Sequence, residues 1–321
     1  MSNIVTIEHT QGGLISAQKI SSKYRESIKE FIMRLTTGSV PTLVGFLAND
    51  DHAAKVYARW TKSACEKDGI KFILRRVDKM ELESNIYETN KDPSVHGIMI
   101  YYPVFGNEKS FYSTSMDDYL RDCIIPEKDI EGLCFAHRSK LYRNIRFMDP
   151  PHNTRKAILP CTPLAVIKVL KYLNVYCSDG KSLSAKTITV INRSEIVGRP
   201  LAAMFANDGA DVYSIDLDSI YLVTEFEKKL SKATTEEACR ASQIIVTGVP
   251  TKSYRVPTEW IQPNTIVINI SSFKNIDKEA VLEIPGVRYV PLVGKVTVAM
   301  LERNLLQCYD YAVASDSKTY E

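Results

Sequence analysis

The chain has 321 residues, 45% of them apolar and 25% charged, an ordinary composition for a folded globular protein and enough length for two domains. A net charge of +3, with basic pairs such as Arg75-Arg76 isolated rather than set in a stripe with aromatics, argues against a nucleic-acid partner. Seven cysteines and five histidines are scattered without paired or metal-ligand spacing, which argues for a reducing compartment and against a metal site.

The N-terminal MSNIVTIEHTQGG has neither a basic amphipathic face nor an apolar core. No later apolar run approaches the ~20 residues that span a bilayer, so a cytosolic protein with no membrane partner is expected. Residues 22–35 are amphipathic, and 42–47 form an apolar strand ending in the turn Ala48-Asn49-Asp50-Asp51. A helix over 53–67, a strand over 72–77, a helix over 81–89 and a strand over 97–102 follow, and this alternation implies a parallel sheet. A weaker helical region at 117–123 leads to PEKDIEG, and the polar MDPPHNT at 148–154 reads as a linker. A second series begins at ILPCTPLAVIKVLKYL, where Thr162 is expected to cap a helix with Pro163 at its first position. Cys161 beside them has no neighbouring base and reads as packing or pocket wall, not a nucleophile.

The stretch KTITVINRSEIVGRPLAAMFANDGADVYSID, 186–216, predicts strand, turn, helix and second strand. Residues 188–191 are β-branched throughout, as a strand buried on both faces should be, and 197–205 carries apolar residues at helical spacing. The two elements meet at Asn192, Arg193 and Ser194, where backbone N–H groups and the positive end of the helix attract a pyrophosphate. Pro200 suits an early helical position. The strand 212–215 ends on Asp216, where a dinucleotide unit places the acid that receives the ribose hydroxyls of NAD and repels the extra phosphate of NADP. Only Gly198 stands where the usual fingerprint has three glycines. On pattern alone two readings of Asp216 therefore stand: ribose acceptor, or cap of a strand in an unrelated α/β protein.

Further strands are predicted at 243–246, 265–268 and 287–290, and a last helix over 296–309. Thr247-Gly248-Val249-Pro250, ending a buried strand, should lie along a cofactor, although Gly-x-Pro is also common in ordinary turns. The expected class is α/β with two domains: an N-terminal α/β substrate domain over 1–154 and a Rossmann-like, doubly wound parallel sheet over 155–294. The C-terminal helix, 295–321, is expected to pack back on the first domain, with the ligand site in the cleft between the two.

Taken in order, GIMIYYPVFG, PEKDIEGL, LPCTPLAVI, VINRSEIVGRPLA, VTGVP and YVPLVGKVTVAML resemble the signature blocks of the methylenetetrahydrofolate dehydrogenase/cyclohydrolase family. The resemblance implies a folate substrate on the N-terminal domain, NAD on the second, hydride transfer between them and a homodimer. It places Tyr57, Tyr101, Pro103, Glu131 and Pro291 against the folate. Along the cofactor it places Asn192, Arg193, Ser194, Val197, Asp216, Thr297 and the run Thr247, Gly248, Val249 and Pro250.

The departures from the family carry as much information. Where the family has a tyrosine and, four residues on, a lysine, this chain has Tyr57 and Thr61. Lys62 is adjacent, but one helical step turns a side chain by about 100°, away from the side of Tyr57. The family's lysine serves the cyclohydrolase step, in which water attacks the methenyl carbon and protons must move, and a threonine cannot replace a tunable amine there. The dehydrogenase step needs alignment and a suitable field, with no proton to abstract. The expectation is therefore an NAD-dependent dehydrogenase that has lost the cyclohydrolase. A bifunctional enzyme, a folate- or nucleotide-sensing pseudoenzyme and an oxidoreductase of the shikimate type are the alternatives.

Tyr101 stands where the family has glutamine, free to bond or stack on the pterin or simply to pack. Glu131 replaces the aspartate expected to grip the pterin's amino-pyrimidine edge, one methylene further out, and Asp129 reads as structural. Lys295 stands where proline is usual, with three readings open: contact with cofactor phosphate or the glutamate tail of folate, solvation, or replacement of the missing lysine from another element. Arg193 is left two roles, turning toward the pyrophosphate or pairing with Asp216.

Overall fold

A computed structural model describes residues 12–35, 39–106, 108–110, 114–176 and 182–316. In chain order its elements are β1 (Gly13–Leu14), α1 (Ala17–Met33), β2 (Thr42–Leu47), α2 (His52–Asp68), β3 (Lys71–Arg76), α3 (Leu82–Lys91) and β4 (Gly97–Ile100). Next come α4 (Met116–Asp122), α5 (Phe135–Tyr142), α6 (Cys161–Tyr172), β5 (Thr187–Ile191), α7 (Gly198–Asn207), β6 (Asp211–Ile215), β7 (Ile220–Val223) and β8 (Lys228–Leu230). The series closes with α8 (Thr235–Ala241), β9 (Ile244–Thr247), β10 (Ile266–Asn269), α9 (Lys278–Leu282), β11 (Arg288–Val290) and α10 (Gly294–Asp316). The described chain divides into two units: a first of Gln18–Ala165 with residues 295–316, and a second of residues 12–17 with Val166–Gly294.

The first unit is built on a parallel sheet of order β3-β2-β4. All six residues of β2 are buried, which is why its sequence is a continuous apolar run and not an alternation. Val44, Phe46, Ile98 and Ile100 pack there with Leu82 and Ile86 of α3 and Leu120 of α4. Asp51 caps α2 by accepting the Ala54 N–H, and Gly69 ends it at a φ of 86°, a left-handed conformation that favours glycine. Ala54, Ala58, Thr61, Cys65 and Asp68 recur at helical spacing and form the buried stripe of α2. A Cβ on Gly97 would lie 2.6 Å from both Ile130 and Leu305, so β4 must be bare at this position for α10 to approach. The Ile98 N–H donates to Lys128 O (2.8 Å), bringing the PEKDIEG turn alongside β4.

The second unit holds a sheet of order β1-β11-β10-β9-β5-β6-β7-β8. From β1 to β6 every pairing is parallel; beyond β6 the chain reverses at Asp216–Ser219 and adds β7 and β8 antiparallel. The expected doubly wound sheet thus carries an antiparallel edge, and β7, β8, α5, α8 and α9 were not anticipated from sequence.

Three boundaries differ from expectation. The 148–154 segment is no linker: it is a turn inside the first unit, with the Asp149 carboxylate accepting the N–H groups of Thr154 and Arg155. The chain passes to the second unit at Ala165–Val166, within α6. That helix starts at Cys161, and Leu164 N–H bonds Pro160 O, so Thr162 lies in the first turn and does not cap it. The 12–17 segment belongs with the second unit, because Gly13–Leu14 pairs with β11, whereas residues 1–11 of the expected first domain lie outside the described residues.

Candidate active site

In the first unit, Tyr57 of α2 and Tyr101 at the end of β4 meet edge to face, ring centroids 5.9 Å apart and planes at 81°. One turn along α2, Thr61 is fully buried and its hydroxyl donates to Tyr57 O (3.0 Å). Position 61 therefore carries no amine, and its one acidic proton is spent on its own helix. Lys62 is exposed, 3.7 Å from Glu66 on the outer face. Burial pushes the hydroxyls of Tyr57 and Tyr101 up from the usual phenol range. The Tyr102 hydroxyl is buried without a hydrogen-bond partner among the described residues.

The Tyr101-Tyr102-Pro103 loop is held from two sides. Asn49, in the turn after β2, donates both amide hydrogens, to Tyr101 O (2.7 Å) and Pro103 O (2.8 Å). The buried Asp117 carboxylate of α4 accepts the N–H groups of Val104 and Phe105, the latter at 2.9 Å. Neither residue was singled out from sequence. A carbonyl-facing asparagine at a strand end and an acid in the first turn of a weak helix were the available signals.

Glu131 follows β4's neighbour turn. Its Oε2 accepts the Ile100 N–H (3.3 Å), and its pKa is pushed up to about 8, first by burial and then by the Asp129 carboxylate. Asp129 is fully committed to backbone: its two oxygens accept the N–H groups of Glu131 (3.1 Å) and Cys134 (2.7 Å). Its carboxylate, the Cys134 thiol and His137 lie within 4.8 Å of one another. His137 nevertheless has both nitrogens engaged, Nε2 with Pro126 O (2.9 Å) and Nδ1 with the Ile158 N–H (3.3 Å), which leaves no free imidazole nitrogen for an ion. Cys161 is buried with its Sγ against Ile130 O (3.4 Å) and the Asn304 amide (3.5 Å), and burial raises its thiol well above the ordinary range, so it is an inert wall residue.

In the second unit, the loops after β5 and β9 are tied together. Asn192 donates to Gly248 O (2.8 Å), while its Oδ1 accepts from Ser194 Oγ (2.8 Å) and N–H (3.0 Å). Ser194 Oγ in turn accepts the N–H groups of Val197 (3.3 Å) and Gly198 (3.4 Å) at the start of α7. A Cβ on Gly198 would fall 1.9 Å from Asn192 O, which explains why a glycine stands where the turn is tightest. Thr247 is buried with its hydroxyl toward Asn275 Oδ1 (3.3 Å), and Asn275, also missed from sequence, accepts the Val249 N–H (2.8 Å). Gly248 has Ile270 packed where its Cβ would be, at 2.6 Å, and Pro250 is exposed.

Arg193 takes neither of its two expected roles. Its guanidinium donates to Ser214 O (2.7 Å), Ser219 Oγ (2.7 Å) and Ser219 O (2.5 Å), with the Tyr221 ring 4.8 Å from Cζ. The unforeseen hairpin between β6 and β7 supplies these acceptors. Asp216 at the tip is exposed, one carboxylate oxygen accepting the Leu217 N–H (2.9 Å). Pro291 falls in the second unit, its carbonyl on the Asn269 amide (3.2 Å), whereas Thr297, buried in the first turn of α10, falls in the first. Lys295 is exposed and hydrogen-bonded to Gln18.

Family models match both units: "Tetrahydrofolate dehydrogenase/cyclohydrolase, catalytic domain" over residues 15–131 and "Tetrahydrofolate dehydrogenase/cyclohydrolase, NAD(P)-binding domain" over residues 160–313. The chain belongs to the tetrahydrofolate dehydrogenase/cyclohydrolase family. It is 45% identical to the NAD(+) methylenetetrahydrofolate dehydrogenase of Dictyostelium discoideum, over 96% of this chain and 98% of that one. It is 29% identical to the bifunctional FolD protein of Methanosarcina barkeri, over 92% and 94%. The solved structure of the NAD-dependent 5,10-methylenetetrahydrofolate dehydrogenase from Saccharomyces cerevisiae matches with a TM-score of 0.86 at 39% identity, covering 96% of this chain and all of that one. A bifunctional FolD structure from Campylobacter jejuni matches with a TM-score of 0.75 at 25% identity, covering 93% and 99%.

As a tetrahydrofolate dehydrogenase/cyclohydrolase family member, the chain has donors and acceptors that fit NAD. The exposed carboxylate of Asp216 ends β6 with one oxygen left for ribose hydroxyls. The arginine that would otherwise attract a 2′-phosphate is spent on Ser214 and Ser219.

Proposed function

We infer that the protein oxidises 5,10-methylenetetrahydrofolate to 5,10-methenyltetrahydrofolate with NAD and does not catalyse the cyclohydrolase step. The observation that carries the reading is Thr61: buried, bonded to the Tyr57 carbonyl, and standing where bifunctional members are expected to place their lysine. NAD, when bound, accepts the hydride. The chain's own residues position the folate: Glu131 offers a carboxylate to the N–H donors of the pterin edge, and Tyr57 and Tyr101 present an aromatic corner. The cation formed is delocalised over two folate nitrogens, so no base is required. The absence of a free amine beside Tyr57 therefore costs the first reaction nothing. Hydration of the methenyl carbon does require proton movement, and position 61 has no group to supply it.

The partner expected beyond the folate is a second copy of this chain, a homodimer supported by family membership. A cytosolic setting, without nucleic-acid or membrane partners, is supported by six free, buried cysteines among the described residues and by the near-balanced charge. Among the described residues no helix is long and apolar enough to cross a membrane. The test of the central reading is supply of methenyltetrahydrofolate directly. Its conversion to the 10-formyl compound is expected at the spontaneous rate, and acceleration by the protein would overturn the loss of the second activity.

A further inference from the structure

The guanidinium of Arg193 bridges both strands of the β6–β7 hairpin at its tip. Nη2 donates to Ser214 O on β6 (2.7 Å) and to Ser219 O just before β7 (2.5 Å), and Nη1 donates to Ser219 Oγ (2.7 Å). These acceptors are two carbonyls and a hydroxyl, none of them a carboxylate. The ring of Tyr221 on β7 covers the group, its centroid 4.8 Å from Cζ, and Lys228 Nζ of β8 lies 4.3 Å from the same centroid. Swinging outward to a phosphate would break three hydrogen bonds and this ring contact.

What the guanidinium grips is the turn that carries Asp216. Ile191 of β5 pairs with Ile215 of β6, so Arg193, two residues beyond Ile191, stands beside the end of β6. Ile215 pairs in turn with Ile220, and the Asp216 N–H donates to Ser219 O (3.1 Å), closing a four-residue turn over 216–219. Ser219 O therefore accepts from the Asp216 backbone and from Arg193 at once. Residues 216–218 are exposed, and among the described residues Arg193 is the hydrogen-bonded tie to the 216–219 turn from outside the hairpin.

We propose that Arg193 is a positioning residue for cofactor choice: it fixes the 216–219 turn so that the Asp216 carboxylate meets the ribose hydroxyls of NAD, and it touches no cofactor phosphate itself. The proposal rests on the reading of Asp216 as the ribose acceptor. A planar fork can tie acceptors on two strands together, and the single ammonium of a lysine cannot.

A cycle of Arg193→Met, Asp216→Ser and the double variant, assayed with NAD and with NADP, tests the coupling directly. Arg193→Met should raise the KM for NAD roughly three- to tenfold and leave the folate KM unchanged. In the Asp216→Ser background the same change should add less than about twofold, because the carboxylate it positions is gone. With NADP, kcat/KM should not fall in Arg193→Met. A loss in the double variant equal to the product of the two single losses, or a fall with NADP, makes Arg193 a direct cofactor contact and overturns the proposal. A parental KM for NAD in Arg193→Met beside a raised one in Asp216→Ser also overturns it, and leaves the reading of Asp216 standing. An unchanged KM for NAD in Asp216→Ser overturns that reading and the proposal with it. If Arg193→Met does not fold, Arg193→Lys decides: a KM for NAD raised only while Asp216 is present supports the proposal, and a parental KM, or one raised equally without Asp216, contradicts it.

Discussion

At the scale of single residues the proposed chemistry rests on Asp216 and Thr61. Asp216 presents its carboxylate at the end of β6, and the guanidinium of Arg193, which follows the adjacent strand β5, is locked by the Ser214 and Ser219 acceptors. Charge-assisted hydrogen bonds of a carboxylate to ribose hydroxyls contribute about 1.5–3 kcal/mol, so Asp216→Ser should cost roughly ten- to a hundredfold in kcat/KM with NAD. The same variant should lose little with NADP, because the repulsion of the extra phosphate disappears with the charge. Steady-state rates with both cofactors measure this, and unchanged discrimination would contradict the role of Asp216. The sequence made Asp216 and Thr61 legible because each is a substitution at a fixed place in a pattern. The fate of Arg193 was not legible, because its partners lie on a hairpin whose strands are too short to announce themselves by periodicity.

Elements explain where the site's rigidity comes from. The turn into α7 has no room for a side chain at Gly198, whose Cβ would press on Asn192 O at 1.9 Å. Gly198→Ala gains about 1 kcal/mol of helix propensity but must displace the Asn192–Ser194 turn, so a net loss of roughly 1–3 kcal/mol is expected. Lowered Tm together with weakened NAD binding, read by calorimetry and by cofactor titration, is the predicted outcome, and a variant as stable and as tightly binding as the parent would refute it.

Helices α1, α2 and α10 meet around a buried acid pair. Glu302 of α10 is fully buried with both oxygens unpartnered, facing Asp68 of α2, which takes Arg25 (2.5 Å) and Lys29 (3.5 Å) from α1. Burial first, and the Asp68 charge second, raise the Glu302 carboxyl well above its ordinary value of 4.5. The folded protein therefore holds a proton on Glu302 that the unfolded chain releases near that ordinary value. Stability is fully present below it and falls as pH rises toward the raised folded value. Glu302→Gln should remove this slope and raise the Tm at pH 7 to 8 relative to pH 5, which thermal melts across that range test. An unaltered slope would show that Glu302 is already ionised. Helix α10 and strands β2, β4, β5 and β9 were legible because long apolar runs and clean helical spacing leave few alternatives. The acid pair was not, since charges 43 and 234 positions apart from Arg25 and Asp68 meet only through packing.

At the scale of the whole molecule the chain carries two α/β units, and the order of the family blocks along the sequence assigned folate to one and NAD to the other. The first unit takes back the C-terminal helix, as Gly97's bare surface against Leu305 requires, while the second recruits Gly13–Leu14 to the edge of its sheet. That short N-terminal pairing was invisible in sequence because two residues carry no period. The proposed chemistry divides likewise: cofactor choice is assigned to Asp216 in the β6–β7 turn of the second unit, and the loss of the second reaction to Thr61 in the α2 stripe of the first. The measurement that tests both together is one incubation with methylenetetrahydrofolate and NAD or NADP, followed by separation of the folate products. Cofactor reduction is expected to be faster with NAD, and methenyltetrahydrofolate to decay to the 10-formyl compound only at its spontaneous rate. Preferred reduction of NADP, or 10-formyltetrahydrofolate appearing faster than in the protein-free control, would contradict the proposed function.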